Sequence, residues 1–383
     1  MRPSIVISAL VALVISFTSS IAIVLAAAAA VGANAEQTAS WVASLFLAKA
    51  AITLVLSVRY RAPVIAAGST TGAAVIAATS GETIATAVGA FFVAAILTIL
   101  TSAIRQLGTL VERIPSAIAS AMLAGILFTF VVAVFEDIRA APELVVPLVV
   151  LFAVVRVFSP IWAVLAVLVG GIGLAYFLGM TQPVGQLHVS WLVWIAPKFE
   201  LNAVIGLGLP LYLVTMTSQN LPGFAALKAS GYELPWRPVL SVTGLVSLVT
   251  AGFGAHASNL AAITASVCSG PDAHPDKDKR WMCGPFYAGG NVILALFGAS
   301  LVTLFHSFPK ALIISVAGLA LVSALATSLS RSMVATDGHF AAVVTFAVTA
   351  SGLSVFGIGS AFWGLVAGLF VLGLERLARM RSQ

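Results

Sequence analysis

The chain has 383 residues, 60% hydrophobic and 8% charged, with a formal net charge of +6. An average soluble domain is about a quarter charged, so this composition excludes a water-facing globular surface. Apolar runs approaching the ~20 residues that cross a bilayer as a helix recur along the whole length. They are continuous rather than alternating, which excludes a transmembrane barrel.

The expectation is therefore an all-α polytopic membrane protein embedded in a lipid bilayer. Its basic residues show no patch interleaved with aromatics, so they read as topology signals and not as a nucleic-acid surface. Cys268 and Cys283 stand alone, without the C-x-x-C spacing of a zinc site and without a disulfide framework around them. Walker, kinase, zincin and G-x-S-x-G motifs are absent, so the sequence supports no enzyme, cofactor or metal site.

Taken in chain order, breaks at Gly, Pro and charge delimit fourteen candidate spans. Seven lie near 3–31, 38–58, 62–79, 83–103, 115–134, 142–158 and 160–178. Seven more lie near 201–226, 237–253, 256–269, 284–305, 309–327, 334–351 and 356–374. The Ala-Asn-Ala at 33–35 resembles a signal-peptidase site. The preceding apolar run is much longer than the roughly 7–15 residues of a signal peptide's apolar region, so it reads as a retained first span.

The halves repeat. "VVLFAV" (149–154) returns as "VVTFAV" (343–348), and "IPSAIASAMLAG" (114–125) aligns with "FPKALIISVAGL" (308–319), both at an offset of 194. "IWAVLAVL" (161–168) aligns with "FWGLVAGL" (362–369), Trp over Trp. An odd number of spans per half makes the second half enter from the opposite side, the inverted repeat common in secondary transporters. With both termini cytoplasmic, fifteen of the nineteen Lys and Arg residues fall inside, including Arg105, Arg113 and Arg331. Arg139, Lys198 and Lys310 fall outside, and Lys49 falls within a span. That asymmetry follows the positive-inside rule.

The third span of each half carries the unusual chemistry. "RAPVIAAGSTTGAAVIAATSG" (61–81) and "GFGAHASNLAAITASVCSG" (252–270) each begin with an extended-looking approach. Each then reaches residues suited to cap a helix: Ser69, Thr70, Thr71 and Gly72 in one, Ser258 and Asn259 in the other. Helices starting in mid-membrane aim free N–H groups and the positive dipole end at the occupant of a cavity. Two such starts meeting near the midplane suit a small anion. Ser, Thr and Gly are also ordinary packing residues of membrane helices, so it is the pairing at equivalent positions that points to a site.

His256 is ionisable within a span and is the candidate for proton coupling. "TMTSQNLPGF" (215–224) adds Gln219 and Asn220 ahead of Pro222 and Gly223, which loosen the helix. None of these three segments contains a carboxylate; Glu36, Glu82 and Asp337 fall at expected boundaries. The charged loop 269–281 reads as a solvated cytoplasmic connection whose Lys277, Lys279 and Arg280 anchor the eleventh span.

"YRAPVIAAGSTTGAA" (60–74), "SQNLPGFAALKASGY" (218–232) and "GAHASNLAAITASVCSGPDAHPDKDKRW" (254–281) resemble the bacterial benzoate transporter (BenE) family. The resemblance spans nearly the whole chain. It implies an inner-membrane benzoate:proton symporter related to the nucleobase and sulfate permeases, with seven-plus-seven inverted repeats. In that fold the first four spans of each half form a core that moves as an elevator against a gate of the last three. The first repeat would cover 1–199, with core spans at about 3–104 and gate spans at about 112–178. The second would cover 200–383, with core spans at about 201–305 and gate spans at about 308–375.

By the same resemblance the substrate lies between the third and tenth spans, against Ser69, Thr70, Thr71, Gly72, Gln219, Asn220, Ser258 and Asn259. Where nucleobase permeases carry carboxylates, this chain has Gln219 and Ser258, which fits an anionic substrate. Many relatives read "WSTPGAA" where this chain reads "GSTTGAA" (68–74); Gly68 in place of Trp implies a larger pocket. The expected substrate class is thus an aromatic or small organic carboxylate moved with protons, and a homodimer through the gate domains is compatible with related permeases. A nucleobase or inorganic-anion permease of the same fold, or a passive anion channel, are the alternatives.

Overall fold

The computed structural model describes residues 2–79, 81–104, 106, 115–160, 162–183, 188–334 and 338–381. Arg105, Arg113 and Asp337 lie outside the described residues. The first half contains α1 (Pro3–Ala30), α2 (Ala35–Tyr60), β1 (Ala66–Gly68), α3 (Thr70–Ala77), α4 (Ile84–Ala103), α5 (Ser116–Glu136), α6 (Pro142–Phe158) and α7 (Ala163–Phe177). The second contains α8 (Leu201–Ala229), α9 (Trp236–Ala251), β2 (Ser258–Leu260), α10 (Ile263–Ser269), α11 (Cys283–Leu296), α12 (Gly298–His306), α13 (Lys310–Ser332), α14 (His339–Ala350) and α15 (Ser360–Arg381).

Among the described residues seven helices are long and apolar enough to cross a membrane, and the pair α11–α12, bent by 60°, makes an eighth. Shorter helices stand at the other expected positions.

Local chemistry sets the boundaries. Asn34 caps α2 and pairs reciprocally with Gln37, while Thr83 and Thr86 form the same device at the start of α4. In α8 two π-helical turns, Val204–Gly208 and Met216–Asn220, each end two residues before a proline, Pro210 and Pro222. A proline has no N–H to donate and its ring crowds the carbonyl four residues back, so the helix widens just ahead of each one. The loosening expected around Pro222 thus takes the form of a π turn over Gln219 and Asn220, and the helix continues to Ala229.

Packing partners are exchanged between the halves. α2 packs on α11 as α9 packs on α4, and α1 packs on α3 and α10 as α8 packs on α10 and α3. In the same way α5 packs on α14 and α15 as α13 packs on α6 and α7. Two packed groups result: α1–α4 with α8–α12, and α5–α7 with α13–α15. α1 meets α13 and α7, α8 meets α5 and α15, and α3 meets α5, so these three helices carry contact between the groups.

An extended stretch, 188–200, joins the halves and straps one end of the first group. Ser190 N donates to Leu296 O at 2.9 Å, Ile195 N to Gly252 O at 2.7 Å and Lys198 N to Ala85 O at 2.9 Å. Trp194 packs edge-on against Phe253 with ring centroids 5.4 Å apart. Beyond the strap's tight contacts, Lys198 pairs with Glu200, whose hydrogen bond and charge raise the lysine's pKa above its ordinary value.

The loop 271–282 is also organised from within. Arg280 donates to His274 O and Ser269 O, both at 2.6 Å, and to Pro275 O at 3.2 Å. This guanidinium is therefore a staple for the loop backbone and not only an anchor. Asp276 accepts from Asp278 N at 3.0 Å, and that bond, with Lys279 nearby, holds its carboxyl below the usual range.

The strap is sensitive at Gly89, where an added Cβ would sit 2.3 Å from the carbonyl oxygen of Lys198. Gly89→Ala is expected to destabilise the protein by about 1–3 kcal/mol by overpacking. Cys268 and Cys283 are both buried, so a thiol-reactive dye reads unfolding directly. A lowered thermal midpoint for the variant is expected; an unchanged midpoint would show that the strap yields without cost.

Candidate functional site

The site is built on two short strands. β1 and β2 pair antiparallel, with Ala66 opposite Leu260, Ala67 opposite Asn259 and Gly68 opposite Ser258. The ladder extends at both ends, since Ser69 N donates to Ala257 O at 3.0 Å and Ala261 N to Ile65 O at 2.9 Å. Ser69 then caps α3, accepting from Gly72 N at 3.0 Å, and its hydroxyl meets Thr215 Oγ1 at 2.9 Å. The first helix start thus stands where the sequence places it.

The second does not. Ser258 and Asn259 lie inside β2, and α10 begins only at Ile263, with Ala262 as an N-cap that makes no side-chain bond. The cause is the strand pairing itself, reinforced from outside. Ser258 N donates to Ser247 Oγ at 3.0 Å, and Leu260 N donates to Asn220 Oδ1 at 3.1 Å. Three residues committed to β1 and to these side chains cannot also begin a helix.

A cavity of about 510 Å³ opens beside the strands, between the two packed groups of helices. This lies within the roughly 300–1,000 Å³ typical of small-molecule sites. One wall is Ser16, Ser19 and Ser20 of α1, Ala67, Gly68, Thr70 and Thr71 of β1–α3, Thr217, Ser218 and Gln219 of α8, and Ala261, Ala262 and Thr264. The facing wall is Ser116, Ser120 and Leu123 of α5 with Leu321, Ser323, Thr327, Ser328 and Arg331 of α13. Ile15, Leu123, Leu221 and Leu321 provide apolar surface; among the described residues Arg331 is the one charged residue in the lining, and no carboxylate lines it.

Of the expected site residues, Thr70, Thr71 and Gln219 therefore line the cavity. Thr71 Oγ1 meets Ser218 Oγ at 2.9 Å, and Gln219 Nε2 reaches Thr71 Oγ1 at 3.3 Å and Thr70 Oγ1 at 3.5 Å. The N–H groups of Thr70 and Thr71 open α3 and have no intrahelical acceptor. Ser69, Gly72, Asn220, Ser258 and Asn259 stand behind this lining. Asn259 Nδ2 reaches Gln219 Oε1 at 3.4 Å, while Asn259 Oδ1 and Ser258 Oγ are buried without a hydrogen-bond partner.

A Cβ at Gly68 would be 2.8 Å from Leu45 Cδ2, so the glycine makes room for Leu45 of α2 while it also lines the cavity.

His256 is 1% exposed and held on both ring nitrogens. Nδ1 accepts from Trp41 Nε1 at 3.1 Å, and Nε2 stands 2.9 Å from Ser69 O. Indole nitrogen only donates and a carbonyl only accepts, so the ring is the neutral tautomer with its proton on Nε2. A second proton on Nδ1 would face another donor. The residue ties α2 to the cap of α3.

The hydroxyls of α1, α5 and α13 are the lining residues that the motif search passes over. They do carry a helical signal. Ser16, Ser19 and Ser20 fall at i, i+3 and i+4, and Ser323, Thr327 and Arg331 repeat every four residues, each set on one face.

Comparison with known proteins adds a family and a fold. The family model described as "Benzoate membrane transport protein" matches residues 1–374. The inner membrane protein YdcO of Escherichia coli K12 is 38% identical over 368 residues, covering 96% of this chain and 94% of that protein. The benzoate membrane transport protein of Acinetobacter baylyi is 34% identical over 365 residues, covering 95% and 93%. Among solved structures, the transmembrane domain of the cyanobacterial bicarbonate transporter BicA superposes with a TM-score of 0.60 at 16% identity, covering 96% and 97%. The chain shares that fold.

The clamp on His256 carries its own test. His256→Leu leaves the Trp41 N–H and the Ser69 carbonyl without partners, and is expected to cost about 2–6 kcal/mol at roughly 1–3 kcal/mol per buried group. His256→Gln can both accept and donate and is expected to recover part of the loss in the same thermal assay. Equal stability of His256→Leu and the parent would contradict the clamp.

Proposed function

Because the chain belongs to the benzoate membrane transport family, a family of membrane transporters, we propose that it is a secondary transporter for benzoate or a related aromatic or small organic carboxylate, moved together with protons. The observation that carries this reading is the composition of the cavity among the described residues: hydroxyls, one amide and a helix start on apolar walls, with Arg331 and no carboxylate. A carboxylate would accept from the N–H groups and hydroxyls of Thr70 and Thr71 and from Gln219. Its ring would rest on Ile15, Leu123, Leu221 and Leu321. A buried carboxylate in the wall would repel such a substrate, and Gln219 stands where one would be most damaging.

The exchanged packing partners support a seven-plus-seven inverted repeat of fourteen spans, and the asymmetry of Lys and Arg supports both termini on the cytoplasmic side of a bacterial inner membrane. In this reading α1–α4 and α8–α12 are the core, and α5–α7 and α13–α15 are the gate. The cavity lies between them, as an elevator requires: sliding the core along the gate would carry Thr70, Thr71 and Gln219 past the fixed hydroxyls of α5 and α13. The neutral, doubly bonded ring of His256 supports a structural role for that residue and favours a different group as carrier of the coupling proton.

Proteoliposome uptake tests the reading. Labelled benzoate should accumulate saturably under an imposed inward proton gradient. Unlabelled benzoate should compete, whereas uracil, xanthine and sulfate should not. Uptake that ignores the gradient, with no competition by benzoate, would sink the proposal; ohmic, non-saturating flux in bilayers would identify a channel instead.

Arg331→Gln should raise KM about fivefold at low salt and less at high salt, matching ~1 kcal/mol of screened attraction. His256→Gln should retain proton-driven accumulation, and its loss with uptake down a benzoate gradient intact would return the coupling role to His256.

A further inference from the structure

With no carboxylate in the cavity among the described residues and His256 bonded on both ring nitrogens, proton coupling calls for another titratable group, and Lys49 is placed to serve. Lys49 lies in the middle of α2 and is 1% exposed. At 1.5 Å per residue it is about 20 Å along the helix from Glu36 and about 15 Å from Arg59. Among the described residues the ion pairs are Lys198–Glu200, Lys228–Glu233 and Lys279–Asp276, so no carboxylate pairs with Lys49. Its contacts are Ser16 Oγ, at 3.3 Å from Nζ, and the face of Phe46, with Nζ 4.2 Å from the ring centroid. Ser16 in turn lines the cavity.

The surroundings of Lys49 do not supply the missing charge. The elements packed on α2 are α1, α9, α11, α12, both strands and the turn Lys277–Met282. Their titratable residues are Arg2 on α1, Arg237 on α9, Cys283 and Tyr287 on α11, His306 on α12, and Lys277, Asp278, Lys279 and Arg280 in the turn. Arg2, Arg237, His306 and the four of the turn sit at helix ends or in the loop, the level of Glu36, Arg59 and Tyr60 on α2 itself. Tyr287, whose hydroxyl interacts with Ser16 while donating to Ala66 O at 3.0 Å, and His256, whose charge would interact with that of Lys49, are neutral neighbours.

We propose that Lys49 is the proton carrier of this transporter: its amine is neutral while the cavity is empty and takes up one proton as a substrate carboxylate binds against Ser16. The inference rests on the carboxylate-transport reading above. Its physical basis is simple. A buried ammonium at membrane depth without a counter-ion is costly, so the empty state favours the free amine. A carboxylate accepting from Ser16 brings its negative charge to within about 6 Å of Nζ, two hydrogen-bond lengths, where an opposite charge favours the protonated form. Anion and proton therefore stabilise each other and cross as a neutral pair. On release the carboxylate leaves, the ammonium loses its counter-charge and the proton follows.

The sign of the pH dependence follows. Binding the anion raises the affinity of Nζ for a proton, so benzoate binds best at pH values where Nζ can be protonated in the complex. Affinity falls as the pH rises above that point, by up to about tenfold per unit while one proton is taken up per benzoate.

Calorimetric titration of benzoate into the purified protein, between pH 6 and 9 and in buffers of different ionisation enthalpy, counts that proton. The wild type should take up close to one proton per benzoate. Lys49→Gln should bind at least tenfold more weakly at low pH, with a flat profile and no proton uptake. Lys49→Arg, which keeps a fixed charge, should bind benzoate with no proton uptake.

The wild-type count stands by itself if either variant misfolds: binding without proton uptake overturns the Lys49 inference while leaving benzoate as substrate. A pH slope and proton count that persist in Lys49→Gln overturn it equally. Absence of any benzoate binding by the wild type would instead overturn the substrate reading, and the inference with it.

Discussion

The structure turns on one constraint: extended backbone at membrane depth must find a partner for every N–H and C=O. Each group left unpaired in hydrocarbon costs several kcal/mol, and no water is at hand to relieve it. The chain meets this demand by pairing its two unwound segments with each other across β1 and β2. The outer edges of that two-stranded ribbon are then closed by side chains. Thr53 Oγ1 accepts from Ala66 N at 2.9 Å, and Tyr287 donates to Ala66 O. Ser247 and Asn220 accept from Ser258 N and Leu260 N, and His256 binds Ser69 O. Four helices thus converge on the two strands, and the segment bearing His256 on the adjoining Ser69, because each supplies a missing hydrogen bond.

Much of the unusual composition follows from that convergence. Backbone approaching this closely leaves little volume, so the contact residues are small. An added Cβ at Gly223 would sit 2.5 Å from Leu260 Cβ, and one at Gly254, where φ is +96°, would press on Trp41 at 3.0 Å. The π turn before Pro222 has the same logic. It carries Asn220 against β2 and Gln219 toward α3 within one widened turn. One residue secures the scaffold and its neighbour faces the cavity.

The sequence makes the large-scale order legible and the fine geometry less so. Continuous apolar runs and the three recurring stretches suffice to locate the helices, because burial in lipid leaves few alternatives. Ser69 is readable as a cap because a short polar side chain ahead of a small-residue helix has a single common use. Ser258 and Asn259 look the same in one dimension, yet they form a strand, because their partners at 66–68 are almost 200 residues away. His256 is incompletely legible for a related reason: an ionisable residue in a span suggests proton chemistry, and its partners Trp41 and Ser69 O, both remote in sequence, emerge only in the fold. Hydroxyls on α1, α5 and α13 escape notice because serine and threonine are common in membrane helices and only the cavity distinguishes these from packing residues.

A transporter must also let go of its substrate, and the distribution of charge bears on this. A fixed cation in contact with the carboxylate would bind tightly in a low-dielectric cavity and would hold the substrate on both sides of the membrane. Here the groups in direct reach are N–H donors, hydroxyls and one amide, which orient an anion without a permanent ion pair. Arg331, exposed near the end of α13, acts where water screens it and so favours arrival more than retention. If Lys49 carries the proton as proposed, a titratable cation one hydrogen bond behind the wall resolves the remaining tension. It can be charged when the anion is present and neutral when it is not, so the empty carrier need not drag a bare charge through the membrane on its return.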